Sequence, residues 1–133
     1  MDLKNIYIFS WLSDEELSYF EFIASKKFFK KWEIIIKEWD DCNDSAYIIE
    51  SGSVDVFHKG EKLATINEWD IFWEIALIIN EPRLATIIAG EDTKTLVFQK
   101  NDFLMLYKKS GNYEEIKERI LHRIKNSFYG IKE

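Results

Sequence analysis

The sequence predicts a mainly β domain, an antiparallel sandwich or barrel with helices at both ends. Three observations predict it. Between about residues 26 and 99, short segments rich in β-branched and aromatic residues alternate with turn-like clusters at intervals of roughly 8 to 12 residues. On either side of that region the apolar spacing changes from strand-like to helical. The whole chain of 133 residues is 47% hydrophobic and 16% aromatic, enough to bury one core. The expectation is one domain over 1–133, with a helix at about 13–25, a barrel at about 26–99 and C-terminal helices at about 101–128.

The first helix is announced by Ser13 and Glu16, which have the spacing of a capping box. Leu12 and Leu17 stand at the staple positions around it, and Leu17, Phe20 and Ala24 follow at helical spacing. The strand candidates are EIIIK (33–37), AYIIE (46–50), SVDVFH (53–58), KLATI (62–66), LATIIA (84–89) and TKTLVF (93–98). The clusters DDCND, SGS, HKGEK and AGEDT separate them as turns. EIALIIN (74–80) fits a short helix inserted into the barrel. The tail starts a helix at Asn101 or Asp102. A second stretch aligns Tyr113, Ile116, Ile120, Ile124 and Phe128 on one stripe, with Glu114 and Glu115 early and Arg119, Arg123 and Lys125 late, as the helix dipole favours. That stripe either covers the domain's own core or packs on a copy of itself in a homodimer.

Charge and composition exclude several classes. The net charge of −6 argues against a DNA-binding surface. The basic residues Lys117, Arg119, Arg123, Lys125 and Lys132 read better as a solvated helix face than as a nucleic-acid contact. No apolar run reaches the length of a membrane span, and the first residues lack the basic and apolar regions of a secretory signal. Cys42 is the lone cysteine, which fits a reducing cytoplasm. His58 and His122 are too few and too far apart for a metal-binding barrel. No nucleophile elbow or phosphate-binding glycine loop is present, and Asp40 with Asp41 suits a turn. The expectation is a domain that is not an enzyme and holds no metal.

One stretch carries ligand chemistry, FWEIALIINEPRLAT (72–86). Arg83 offers a flat fork of donors for a phosphate, and Glu74 could accept from a sugar hydroxyl. The first N–H groups of a short helix between them would attract the same anion. On composition alone, Glu74 and Arg83 could equally pair with each other across a barrel mouth.

The order of landmarks resembles the cyclic nucleotide-binding domain family, which includes catabolite-activator-type regulators, kinase regulatory subunits and gated channels. The matching stretches are IFSWLSDEEL, FKKWEIIIKEWD, AYIIESGSVDVF, GEKLATINEWDIFWEIALIINEPRLATIIAGEDT and FLMLY, spanning about residues 6–125. The most specific is the phosphate-binding cassette, family pattern F-G-E-[LI]-A-L…P-R-x-A-T. The resemblance implies a jelly roll (double-stranded β-helix) that binds cAMP or cGMP as a regulatory sensor. It implies that Arg83 grips the cyclic phosphate and Glu74 accepts from the ribose 2′-hydroxyl. Backbone N–H groups near Ile75, Ala76, Leu84 and Ala85 would complete the cradle, and the last helix would act as lid. Leu84 departs from the small or hydroxylated residue of many members, which removes a side-chain contact and leaves the backbone donor.

Trp73 stands where that family has glycine, beside the ligand. Trp11, Trp32, Trp39 and Trp69 also fall on family glycine positions, and the chain has five Trp and five Gly. The codon UGA is stop, tryptophan or glycine in different genetic codes, so one cause, glycine codons read as tryptophan, would account for all five. Left-handed backbone at such positions costs a residue with a Cβ about 1 to 2 kcal/mol each. The competing reading keeps Trp73 as genuine and makes the domain a non-binding interaction module with a plugged pocket.

Overall fold

The computed structural model describes residues 6, 9–10, 12–38, 45–72 and 85–127. Helix α1 (Asp14–Ile23) opens on the expected capping box, with Ser13 Oγ accepting from the Glu16 N–H at 3.1 Å and Glu16 Oε1 accepting from the Ser13 N–H at 3.0 Å. Leu17 and Phe20 are its buried residues.

Eight strands follow, β1 (Ser25–Phe29), β2 (Ile34–Ile36), β3 (Ser45–Ser51), β4 (Val54–His58), β5 (Glu61–Ile66), β6 (Ile71–Phe72), β7 (Thr86–Ala89) and β8 (Thr93–Gln99). They form two four-stranded antiparallel sheets, ordered β1-β8-β3-β6 and β2-β7-β4-β5. Helices α2 (Lys100–Ser110) and α3 (Tyr113–Ser127) complete the order. Six of the strands fall on the sequence-based segments, within two residues at each end. The sequence reading names neither β1 nor β6 as a strand, and it starts α2 one or two residues late.

The two sheets enclose an inner core and one of them also carries an outer core. The inner core joins Tyr47, Ile49, Phe72 and Val97 of the first sheet to Ile36, Val54, Val56, Ile66 and Ile87 of the second, with Ala85. The outer core sets Ala46, Ile48, Ile71, Leu96 and Phe98 against α1, α2, α3 and the residues before α1. Phe9, Phe20 and Phe98 meet there with ring centroids 4.7 to 5.9 Å apart. Successive residues of a strand point to opposite faces. Because both faces of the first sheet are covered, β3 and β8 are buried at consecutive positions and carry the short apolar runs AYII and LVF. The second sheet keeps one face in water, so β4 and β7 alternate, and the outward Asp55 pairs with Lys62 at 3.2 Å and accepts from Thr65 at 2.8 Å.

Turn geometry fixes the hairpins. Lys59 and Gly60, between β4 and β5, have φ of 51° and 82°, the paired left-handed backbone of a two-residue type I′ turn. Between β3 and β4, Gly52 has φ 94°, and a Cβ there would come 2.6 Å from both the Asp92 carbonyl oxygen and Thr93 Oγ1. Gly111 at φ 84° caps α2, its N–H donating to the Tyr107 carbonyl. Among the described residues, no helix is long and apolar enough to cross a membrane.

Gly52→Ala is therefore expected to lower stability by at least about 1 to 2 kcal/mol, from the left-handed backbone alone and before the clash. Urea denaturation monitored by circular dichroism checks this, and Gly60→Ala, with open space around its Cβ, should cost less.

Candidate functional site

The stretch with ligand chemistry connects the two sheets. Residues 73–84 run between β6 of one sheet and β7 of the other. The residues that bracket it, Phe72 and Ala85, are both fully buried in the inner core. Phe72 is fixed twice over. It pairs with Tyr47 across the β3–β6 ladder, and the two rings stack at 5.0 Å with planes 6° apart. Its neighbour Ile71 points the other way, into the outer core. The residues on either side of the stretch therefore lie between the sheets.

The return end is tied down by a polar cluster. Thr86 Oγ1 accepts from the Glu38 N–H at 3.0 Å, which joins the start of β7 to the end of β2. Glu38 Oε1 accepts from the Lys59 N–H at 3.0 Å and lies 3.5 Å from His58 Nδ1. His58 thus sits at the end of β4 as a partner of a carboxylate. The sequence reading did not pair Glu38 with His58, because their separation of twenty residues has no motif and only the barrel brings them together.

Of the candidate ligand residues, Ala85 is described, buried immediately before β7. Trp73, Glu74, Ile75, Ala76, Arg83 and Leu84 lie outside the described residues, as do Trp11, Trp39 and Cys42. The expected short helix at 74–80 lies there too. The expected lid helix is α3, whose Ile116 and Ile120 are fully buried in the outer core with α1 and α2. A separate cleft of about 510 Å³ lies between α1 and α2, lined by Glu15, Glu16, Tyr19, Met105, Leu106 and Lys109. None of these residues belongs to the inner core or to 73–84, so this cleft is not the ligand candidate.

A family model, the cyclic nucleotide-binding domain, matches residues 26–110. The chain belongs to this family. A cAMP-dependent protein kinase regulatory subunit from Debaryomyces hansenii is 44% identical over 68 residues, 51% of this chain and 15% of that protein. The solved Thermus thermophilus catabolite activator protein is 23% identical, with a TM-score of 0.78 over 90% of this chain and 58% of that one. The regulatory domain of Toxoplasma gondii PKA, solved with cAMP, is 23% identical with a TM-score of 0.72 over 81% of this chain and 42% of that one. At these identities the solved structures establish the jelly-roll fold. Against the Debaryomyces hansenii subunit and four other kinases or kinase regulatory subunits, the chain spans between 10% and 31% of their length. The reading as a non-binding relic plugged by Trp73 draws no support from these comparisons.

Thr86→Val removes the acceptor of a part-buried N–H and is expected to cost about 1 to 3 kcal/mol. Thr86→Ser keeps the hydroxyl and should retain most of that stability. Denaturant midpoints of the two variants, measured side by side, check it.

Proposed function

We propose that the chain is a cytoplasmic regulatory module that binds a cyclic nucleotide monophosphate, cAMP or cGMP, at residues 73–85. One observation carries the reading: the stretch between Phe72 and Ala85, two residues buried in the inner core, contains in its sequence the acidic and guanidinium groups that such a ligand needs, in a chain of the cyclic nucleotide-binding family. In this reading Arg83 holds the cyclic phosphate by charge-assisted, two-pronged hydrogen bonds, which an ammonium would not reproduce. Glu74 accepts from the ribose 2′-hydroxyl. Backbone N–H groups near Ile75, Ala76, Leu84 and Ala85 donate to the remaining phosphate oxygens. No bond is made or broken, so the module works by binding alone.

The signal is a population shift. A ligand favours a conformation only by its differential affinity for it. The proposed output is docking of the C-terminal helix over the base, with the turns of α3 that carry Ile116 and Ile120 as its anchor. The kinase regulatory subunits among the relatives support a role in signalling.

Calorimetric titration with cAMP and with cGMP tests the proposal, on the chain as written and on Trp73→Gly. Binding in the micromolar range by either protein is the expected outcome. Arg83→Ala in the binding-competent protein should weaken it by at least about 30-fold, the loss typical of truncating one partner of a buried charge pair. Silence of both proteins toward both nucleotides rejects the reading.

A further inference from the structure

The described tryptophans, Trp32 and Trp69, share one backbone setting. Trp32 is the third residue of a turn in which the Glu33 N–H donates to the Lys30 carbonyl at 2.9 Å. Trp69 is the third residue of a turn in which the Asp70 N–H donates to the Asn67 carbonyl at 3.2 Å. Their φ angles are 76° and 60°, while the residues before them, Lys31 and Glu68, are not left-handed. Negative then positive φ across the two central residues, with the closing hydrogen bond, is the pattern of a type II turn, whose third position calls for glycine or asparagine. A bulky aromatic there is an outlier.

Neither turn is free to relax. The Trp32 N–H donates to the Ala89 carbonyl at 2.8 Å, and the Ala89 N–H donates to the Glu33 carbonyl at 2.9 Å. The Trp69 N–H donates to the Ile49 carbonyl, and the Ile49 N–H donates to the Asp70 carbonyl at 3.1 Å. Each turn is clamped on both sides by a neighbouring strand. Packing does not explain the indole of Trp32 either, since 71% of that residue's surface is in water. Lys59, the remaining left-handed residue other than glycine among those described, is accounted for by its type I′ hairpin with Gly60. Trp32 and Trp69 have no such backbone account, and their ring contacts, Lys31 Nζ 5.3 Å from the Trp32 ring centroid and the outer core beside a half-buried Trp69, do not require a left-handed φ.

We infer that positions 32 and 69 are glycine positions, and that the tryptophan codons of this chain, at 11, 32, 39, 69 and 73, are decoded as glycine in the organism that makes the protein. One reassigned codon explains both turns, as well as a chain with as many Trp as Gly. It also fixes the state of the ligand site. In the native protein position 73 is glycine, with no indole beside the phosphate cradle; this last consequence rests on the proposed binding at 73–85.

The test separates backbone from indole by comparing glycine with alanine at each turn in the full chain. Both replacements remove the ring, and only glycine relieves the left-handed strain. Trp32→Gly should exceed Trp32→Ala, and Trp69→Gly should exceed Trp69→Ala, by about fivefold or more in the folded-to-unfolded ratio from urea titrations. Equal or greater stability of the alanine variants at both turns overturns the inference. The gene supplies the second test: UGA at all five positions supports it, and UGG at any of them overturns the common cause. These measurements involve no ligand. A failure here leaves the binding proposal standing, and a failure to bind nucleotide leaves the inference about glycine standing.

Discussion

Strands β3 and β8 pair from Ser45 against Gln99 to Ile49 against Thr95, and this register decides what faces the inner core and what faces the helices. Tyr47, Ile49 and Val97 go inward, while Ala46, Ile48, Leu96 and Phe98 go outward. A slip of one residue would exchange the two sets. Both exchanged sets would still be apolar, so hydrophobicity alone does not hold the register. Shape does: the outward set must fit Phe9 and Phe20, whose rings meet Phe98, and the inward set must put Tyr47 under Phe72. Aromatic pairs of this kind add about 0.5 to 1.5 kcal/mol each beyond the area they bury. The register shifts only between Ile49 and Ser51, where Glu50 is the extra residue of a bulge. Glu50 Oε1 there is buried with no hydrogen-bond partner, 3.9 Å from Lys26 Nζ.

Much of this arrangement is legible in the sequence, and the exceptions have physical causes. Ser13 and Glu16 announce α1 because a capping box is local and needs only four residues. The β3 and β8 runs are legible because coverage on both faces favours consecutive apolar residues, AYII in one and LVF in the other. β1 is hidden for the opposite reason. It is an edge strand with Lys26 and Lys27 in water and Phe28 exposed, so neither alternation nor an apolar run marks it. Lysines on such an edge discourage pairing with another chain, which is useful to the fold and unhelpful to a reader of the pattern. β6 is two residues long, below any periodicity. α2 begins at Lys100 after Gln99, which makes no side-chain cap bond, so the polar residues at 101 and 102 draw the start too late.

The turns at 30–33 and 67–70 are marked by the family resemblance alone, and they carry no local turn signal for one shared reason. The usual sign of a type II turn is glycine at its third position, and both turns carry tryptophan there. The chemistry of residues 73–84 is more legible than its surroundings. An arginine and a glutamate nine residues apart are visible in a string of letters. The tie from Thr86 to Glu38, and from Glu38 to Lys59 and His58, joins β2, β4 and β7 at residues far apart in sequence. Only closure of the sheet creates that cluster.

The same geometry bears on how occupancy of the inner space can reach the helices. At the point where the chain enters 73–84, two consecutive residues face two compartments: Phe72 stacks on Tyr47 inside, and Ile71 packs in the outer core with α2 and α3. β8 repeats this, with Val97 inside and Leu96 and Phe98 outside, and runs into α2 without an intervening residue. A protein interior is packed too densely to absorb a displacement on one face of a strand without passing it to the other. A displacement of Phe72 or Val97 would therefore be passed to the surface on which Phe103, Tyr107 and Ile116 rest. The size of the response is limited by the ligand's preference for one helix arrangement over another. The covered sheet makes that preference possible, because both compartments are built from the same strands.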